Sequence, residues 1–253
     1  MKKPFVALQM YTVRDFANKD LADTFRKVKE IGYDFVELAG VYDMQFSQIH
    51  KLLDDSGLCA ISAHVQYTTL AENMQAMVSA YKSLGCEYIT IPMIDADKLP
   101  GGTHFQETKE ILENFCDICK KEGVTPVYHN HALEFEKLAN GKFKLDELFD
   151  QLPGLTAQFD TGWIKEAGQS PEAYIKKYAG RCPMIHIKDN IVGSYSGYED
   201  RPVGKGSQNI PATLDAVVAA GVIGMVVEVD NPVDITSMDA AQESREYLKS
   251  LGY

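Results

Sequence analysis

The sequence of 253 residues contains no long hydrophobic segment and no cluster of positive charge. No run reaches the roughly 18 apolar residues that a membrane-spanning helix needs, so we expect no membrane insertion. The 25 Lys and Arg residues face 36 Asp and Glu residues, which gives a formal net charge of −11. Such a field repels polyanions unless a local basic patch opposes it. Nucleic acid is therefore not an expected partner.

Signal-peptide and metal-binding cysteine patterns are also missing. Met1 leads directly into a short apolar strand without the longer apolar stretch of a secretory signal, and we expect a cytoplasmic protein. The five cysteines are an odd number and fit free thiols in a reducing compartment. Cys116 and Cys119 form a C-x-x-C pair, but no second pair or nearby His completes a zinc site. We interpret them as packing residues.

What the sequence does contain is an eightfold alternation of short apolar runs and longer amphipathic segments. The strand candidates are Phe5–Met10, Phe35–Leu38, Cys59–Ala63, Tyr88–Ile91, Thr125–Tyr128, Thr156–Phe159, Met184–Ile187 and Met225–Val229. Helical patterns lie near 20–31, 45–56, 68–84, 105–122, 144–151, 171–179, 210–220 and 238–250. Glycines end five of these helices, at residues 32, 57, 85, 123 and 221.

Eight such units without a linker predict one domain, a (β/α)₈ TIM barrel over residues 1–253. A doubly wound sheet is the main alternative, since periodicity does not show whether a sheet closes. Against that alternative, no G-x-G-x-x-G motif follows the first strand.

Polar residues stand where most of the predicted strands end, which is the end of a TIM barrel that carries the active site. After the last three strands come Asp160, His186 and Glu228, each at the end of a mainly apolar run. Carboxylate and imidazole ligands together suit Mn²⁺, Mg²⁺, Co²⁺ or Zn²⁺ in a catalytic site. A divalent cation would also relieve the repulsion between clustered carboxylates. We therefore expect one divalent metal ion as cofactor.

The same segments resemble a known family almost from end to end. The matching stretches are residues 8–15 (LQMYTVRD), 32–40 (GYDFVELAG), 62–65 (SAHV), 128–135 (YHNHALEF), 159–163 (FDTGW), 186–189 (HIKD) and 227–232 (VEVDNP). They are similar to the xylose isomerase-like TIM barrels, a family of sugar phosphate isomerases and epimerases. The resemblance implies a TIM barrel with a metal held after its last four strands.

For single residues, the resemblance implies metal ligation by Asp160, His186 and Glu228. Relatives often carry a Glu after the fifth strand, where this chain has His129. We expect Glu134 as the fourth ligand, and His129 or His131 remain alternatives. Trp163 stands where some relatives have a His, which disfavours a multi-metal site and offers an apolar face to a sugar ring.

The expected reaction is the removal of a proton next to a carbonyl of a sugar, through an enediolate, by an isomerase or epimerase. Glu134 and Glu228 are the candidate bases. His131 and Lys188 are the candidates for the acid or for contacts to the oxyanion. The expected contacts to a sugar or keto-sugar substrate are Gln9, Tyr11, Glu37, His64, His129, Trp163 and Arg201.

Other readings remain open at this stage. Imidazoles in place of a Glu after the fifth strand would favour a lyase or dehydratase acting on a keto-sugar, a 3-keto-glycoside or an inosose. A barrel that only binds a sugar or a partner subunit is a non-catalytic alternative. The resemblance extends to metal-dependent endonucleases, which the acidic charge and the total of six histidines disfavour. A homo-oligomer is compatible with the sequence.

Overall fold

A computed structural model describes residues 3–191 and 199–253 of the chain. Eight parallel strands close into a barrel in the order β1-β10-β7-β6-β5-β4-β3-β2. The barrel strands are β1 Phe5–Gln9, β2 Phe35–Leu38, β3 Cys59–His64, β4 Tyr88–Ile91, β5 Thr125–His129, β6 Thr156–Asp160, β7 Met184–Ile187 and β10 Gly224–Val227. The predicted (β/α)₈ barrel is confirmed, and each predicted strand lies within two residues of an observed one.

Amphipathic helices surround the barrel. They are α1 Arg14–Ala17, α2 Leu21–Ile31, α3 Phe46–Ser56, α4 Tyr67–Ser83, α5 Phe105–Glu122, α6 Lys144–Gln151, α7 Thr161–Glu166, α8 Pro171–Lys177, α9 Ile210–Ala220 and α10 Ser237–Ser250. Short 3₁₀ turns occur at Ala96–Lys98 and Leu133–Phe135. The sequence did not predict α1, α7, or the antiparallel pair β8 Asp189–Asn190 and β9 Asp200–Arg201.

The barrel interior changes from apolar to polar along the strands. Ala7, Val127, Met184 and Val226 belong to a separate buried apolar cluster, apart from the larger core that the helices cover. Side chains two positions apart on a strand face the same side of the sheet. The residues two positions further along these four strands are Gln9, His129, His186 and Glu228. Polar and ionisable groups therefore collect at the carboxyl ends of the strands.

A register shift in β3 contributes to this polar layer. Val36 pairs with Ala60, but Glu37 pairs with Ser62, so one extra residue is accommodated between them. Such bulges are common beside active sites, where they redirect a side chain. Here the shift places Ser62 opposite Glu37, and the Ser62 hydroxyl donates to Glu37 Oε2 at 2.6 Å.

The remaining sequence expectations concern membranes and thiols. In the two described ranges, no helix has the length and apolar character needed to cross a bilayer. All five cysteines are free thiols. Cys119 is fully buried in the core, as expected for a packing residue.

Candidate metal centre and active site

Four buried side chains at the carboxyl ends of the barrel strands form one compact group. His129 ends β5, Asp160 ends β6, His186 lies within β7, and Glu228 directly follows β10. Each offers one nitrogen or oxygen atom, and these atoms all lie within 4.8 Å of one another. This combination of two imidazoles and two carboxylates is a typical set of ligands for a divalent transition metal.

The local sequence around Asp160 directs one of its oxygens toward this group. Asp160 is the N-cap of α7, and its Oδ1 accepts a hydrogen bond from the Trp163 backbone N–H at 2.9 Å. Among the described residues, the buried Oδ2 has no hydrogen-bond partner. Burial raises the pKa of this carboxyl, and the negative charge of Glu228 adds to the effect. A buried carboxylate oxygen without a hydrogen bond is costly, and a bound cation would remove that cost.

His186 is held between two carboxylates. Its Nδ1 lies 2.9 Å from Glu228 Oε2, and its Nε2 lies 2.6 Å from Glu37 Oε1. Burial opposes the charged imidazolium, but Glu228 and Glu37 outweigh burial and raise the pKa of His186 to about 10. Glu37 thus fixes the ring so that Nδ1 faces the group, which is the usual arrangement for a metal-ligating histidine.

Glu37 itself is fully buried in a cradle of donors. Its Oε1 accepts from Gln9 Nε2 at 2.7 Å, and its Oε2 accepts from Gln158 Nε2 at 2.7 Å. His64 Nε2 lies 3.0 Å from Glu37 Oε1. Burial opposes ionisation of Glu37, but His64 and His186 outweigh it and hold the pKa well below its usual value. Glu37 and Gln9 therefore lie inside the barrel beneath the metal group, where the sequence had suggested contacts to substrate.

In the described part of the chain, Lys188 is the only Lys or Arg whose charged group lies within 4 Å of Asp160 and Glu228. Its Nζ lies 2.6 Å from Asp230 Oδ2, 3.0 Å from Glu228 Oε2 and 3.4 Å from Asp160 Oδ2. Burial opposes its charge, but these carboxylates outweigh burial and raise the pKa well above its ordinary value. The three carboxylates therefore favour the charged ammonium form of Lys188.

Two neighbouring residues fix the position of Lys188. Thr161 Oγ1 and the Lys188 backbone exchange hydrogen bonds of 3.0 Å in both directions. A Cβ atom on Gly162 would stand 2.8 Å from Lys188 Cδ, closer than real contacts allow. In this Asp-Thr-Gly sequence, Asp160 caps α7, Thr161 bonds to the Lys188 backbone, and Gly162 leaves space for the Lys188 side chain.

Glu134, the expected fourth ligand and base, lies outside this group. Its Oε1 accepts from the Tyr128 hydroxyl at 2.6 Å, and its Oε2 accepts from the His131 backbone N–H at 2.9 Å. Burial raises its pKa. The 3₁₀ turn at Leu133–Phe135 directs the carboxylate to these partners, so it stabilises the loop after β5. The fifth-strand member of the group is instead His129, one of the two alternatives that the sequence left open.

A cavity of about 700 Å³ opens above the group. Its lining includes four of the residues that the sequence proposed for substrate, namely Tyr11, His64, His129 and Trp163, and the candidate acid His131. Glu228 also lines the cavity. Arg201, also proposed for substrate, lies in β9 and donates to the Val233 carbonyl at 3.4 Å. It is not among the described residues that line the cavity.

Two functional groups were absent from the sequence-based set. Asp230 lines the cavity and pairs with Lys188, and Gln158 bridges His64 and Glu37. Both lie two positions from a residue that the sequence did single out, Glu228 and Asp160 respectively. Strict alternation along the strands would have placed Gln158 inside the barrel.

The four candidate ligands, His129, Asp160, His186 and Glu228, fit a divalent metal. Asp160 Oδ2 is buried without a hydrogen-bond partner in residues 3–191 and 199–253, and His129 Nε2 lies 3.9 Å from it. Burial lowers the pKa of His129 well below its ordinary value, so this imidazole is neutral and able to ligate. Glu37 supplies the outer carboxylate that orients His186.

Comparisons with known proteins agree with this picture of the fold. The structure is similar to that of a sugar phosphate isomerase/epimerase from Parabacteroides distasonis, with a TM-score of 0.80 and 24% identity over 97% of this chain and 98% of that one. It is also similar to the IOLI protein, whose structure contains a zinc atom, with a TM-score of 0.74 and 14% identity over 98% and 97% of the two chains.

One curated protein of known name is similar in sequence over a short stretch. An inosose dehydratase from Clostridium beijerinckii is 32% identical over 78 residues, which is 28% of this chain and 24% of that protein. The match therefore spans about a quarter of its length. The model of the xylose isomerase-like TIM barrel family, in contrast, matches residues 25–251. This match confirms the resemblance seen in the sequence, and the chain belongs to the xylose isomerase-like TIM barrel family.

Proposed function

We propose that this protein is a metal-dependent isomerase or epimerase that removes a proton next to the carbonyl of a keto-sugar. The observation that carries the proposal is the group of His129, Asp160, His186 and Glu228 beside a cavity large enough for a sugar. The cavity also presents an imidazole, that of His131, and the ring of Trp163.

The metal would be held by the four residues of the group, with Glu37 behind His186. A divalent ion bound there supplies Lewis acidity, which stabilises negative charge on substrate oxygens next to the carbon that loses its proton. The remaining catalytic tasks fall to the side chains of the cavity.

His131 is the proton acceptor in this proposal. Its side chain lines the cavity beside Trp163. Burial lowers its pKa to about 4, with the charge of Lys188 acting in the same direction, so the imidazole is neutral. The C–H bond breaks, the proton moves to the imidazole, and the electron pair moves toward the carbonyl oxygen. Return of a proton to the opposite face of the same carbon completes epimerisation, and its return to the adjacent carbon, with transfer of the hydroxyl proton between the two oxygens, completes isomerisation.

Lys188 and Trp163 position and stabilise the substrate. The buried Lys188 ammonium, held by Asp230 and Glu228, adds positive charge beside the site where an oxygen gains negative charge. Its Nζ lies 5.3 Å from the Trp163 ring, and the His131 ring lies 5.2 Å from the same indole. Because Trp163 and His131 both line the cavity, a sugar ring placed on this indole lies beside the His131 imidazole.

A dehydratase is a second candidate, favoured by the imidazoles of the fifth strand. Because Glu134 is turned away, the described cavity has no carboxylate base opposite Glu228. A one-sided site suits elimination, in which His131 takes the carbon-bound proton and returns it to the neighbouring hydroxyl, so that the C–O bond breaks, a carbon–carbon double bond forms and water leaves. The sequence similarity to an inosose dehydratase supports this candidate.

Both candidates share the first step, and solvent exchange measures it. With Mn²⁺ present, ketohexoses, keto-glycosides and inososes are incubated in D₂O, and deuterium uptake is read by mass spectrometry. We expect uptake into at least one substrate, and a decrease of about 100-fold or more in His131→Ala. His104→Ala, a change at an exposed histidine, is the matched control and should have no effect.

Product analysis then separates the two reactions. An isomeric product of unchanged composition supports the isomerase or epimerase, and loss of water supports the dehydratase. Absence of deuterium from every substrate would contradict both, and the non-catalytic barrel would then be the better account.

A further inference from the structure

The cavity is larger than a sugar ring requires. Its volume of about 700 Å³ lies within the range of roughly 300–1,000 Å³ that is typical of pockets for drug-sized ligands. A monosaccharide fills only a small part of such a space. The polar end holds His129, His131, Trp163 and Glu228, which belong to the site already described. The rest of the cavity is therefore available to another part of the substrate.

That remaining part extends over the ends of β2, β3 and β4 and is mainly apolar, with Gln66 and Thr69 as further lining residues. We call it the apolar arm, lined by Val41, Phe46, Val65, Met77, Tyr81 and Pro92. The Phe46 and Tyr81 rings meet edge to face at a centroid distance of 5.1 Å. Aromatic edges and a methionine side chain form favourable contacts with another aromatic ring.

The arm offers no cation to a phosphate group. Arg14 is the one Lys or Arg among the described residues that line the cavity. Its guanidinium already donates to the carbonyls of Tyr11 and Asp230, both at 2.8 Å, and lies 4.0 Å from the Tyr11 ring centroid. The six residues that define the arm carry no charge, so none of them would bind a phosphate dianion.

We propose that the substrate is an unphosphorylated glycoside whose aromatic aglycone lies in the apolar arm, with its sugar ring at the polar end. This inference rests on the proposed function, because it places the sugar at the metal group. It adds a substrate class, aryl glycosides that carry a carbonyl on the sugar, and it excludes sugar phosphates.

Binding of simple glycosides tests the arm separately from catalysis. Phenyl and methyl glucosides and galactosides, together with glucose 6-phosphate, are titrated into the Mn²⁺-loaded protein by calorimetry. The fluorescence of Trp163, the single tryptophan of the chain, provides a second signal from the polar end. We expect the phenyl glycoside to bind about tenfold or more tightly than the methyl glycoside of the same sugar. Glucose 6-phosphate is expected to bind more weakly than either.

Two variants locate the effect within the molecule. Met77→Glu places a charge in the arm and should reduce the phenyl-to-methyl preference to near one, while the affinity for the methyl glycoside stays unchanged. Ile223→Glu alters an exposed residue before β10, at the opposite end of the barrel, and should retain the preference. Met77 is only partly buried, so the fold is expected to tolerate the change.

Equal affinity for phenyl and methyl glycosides, no binding of either, or tighter binding of glucose 6-phosphate would overturn this inference. If deuterium exchanges into a free keto-sugar but phenyl glycosides bind no more tightly than methyl glycosides, the inference about an aromatic aglycone fails and the proposed function stands. A phenyl preference without exchange into any substrate would support the arm and contradict the proposed chemistry.

Discussion

Replacing His129 with Ala is expected to lower the affinity for Mn²⁺ by more than 100-fold, whereas Glu134→Gln is expected to leave it unchanged. His129 belongs to the buried group whose ligand atoms lie within 4.8 Å of one another, and its Nε2 lies 3.9 Å from Asp160 Oδ2. Changes to outer partners of metal ligands already cost roughly 10–100-fold in affinity, so loss of a direct ligand should cost more.

The Glu134 carboxylate is committed to other partners. Tyr128 and the His131 backbone donate to its two oxygens at 2.6 and 2.9 Å. A Gln side chain has a single accepting oxygen, so it retains only part of this pair of hydrogen bonds. We therefore expect a modest decrease in thermal stability for Glu134→Gln with metal affinity retained. Calorimetric titration of chelator-treated protein measures the affinity, and circular dichroism checks the fold. The reverse pattern would restore Glu134 as the fifth-strand ligand.

Glu37→Gln is expected to weaken metal binding by about 10–100-fold, although Glu37 does not belong to the ligand group. Its carboxylate holds His186 Nε2 at 2.6 Å and thereby fixes which nitrogen faces Glu228 and Asp160. An amide is neutral and keeps only one accepting oxygen, so the imidazole loses its fixed orientation. Glu37 is a positioning residue in this account.

The same change should also lower stability. Glu37 accepts from Gln9, Ser62 and Gln158, all within 2.7 Å, and its charge balances that of His186. Breaking a buried ion pair by altering one partner costs on the order of 3 kcal/mol of unfolding free energy. Denaturant unfolding of the metal-free native protein and of the Glu37→Gln variant measures this loss of unfolding free energy.

Metal titration at a temperature where the Glu37 variant is folded isolates the effect on binding. Glu134→Gln serves as the control, since it also neutralises a buried carboxyl but one outside the group. Loss of stability with unchanged metal affinity would show that Glu37 has a structural role alone.

The fold could be predicted from sequence because each strand and helix carries its own local signal. Apolar runs end at glycines or polar residues, and eight repeats of the pattern fit a closed barrel. The pair β8 and β9 has only two residues on each strand, too few for a periodic signal. Helix α7 was missed because it begins at the cap formed by Asp160 itself, without an intervening loop.

The ligand group was partly predictable for a similar reason. Asp160, His186 and Glu228 lie at or directly beyond the ends of their strands, so their positions follow from the barrel alone. The fifth strand is different, because His129, His131 and Glu134 all follow it closely, and the conformation of the loop decides among them. Alternation along β5 would have favoured His129, which lies two positions beyond the interior residue Val127. The hydrogen bonds from Tyr128 and the His131 backbone to Glu134 are local, but they depend on the conformation of the loop and have no sequence pattern.

Metal content tests the central claim of a divalent ion held by His129, Asp160, His186 and Glu228 most directly. Protein purified without chelator is analysed by mass spectrometry beside Asp160→Ala, Glu228→Ala and the control Glu134→Gln. We expect about one equivalent of Mn, Co, Zn or Mg in the native protein and in the control, and none in the two ligand variants. A native protein that contains no metal, and takes up none when Mn²⁺ is added, would contradict the account.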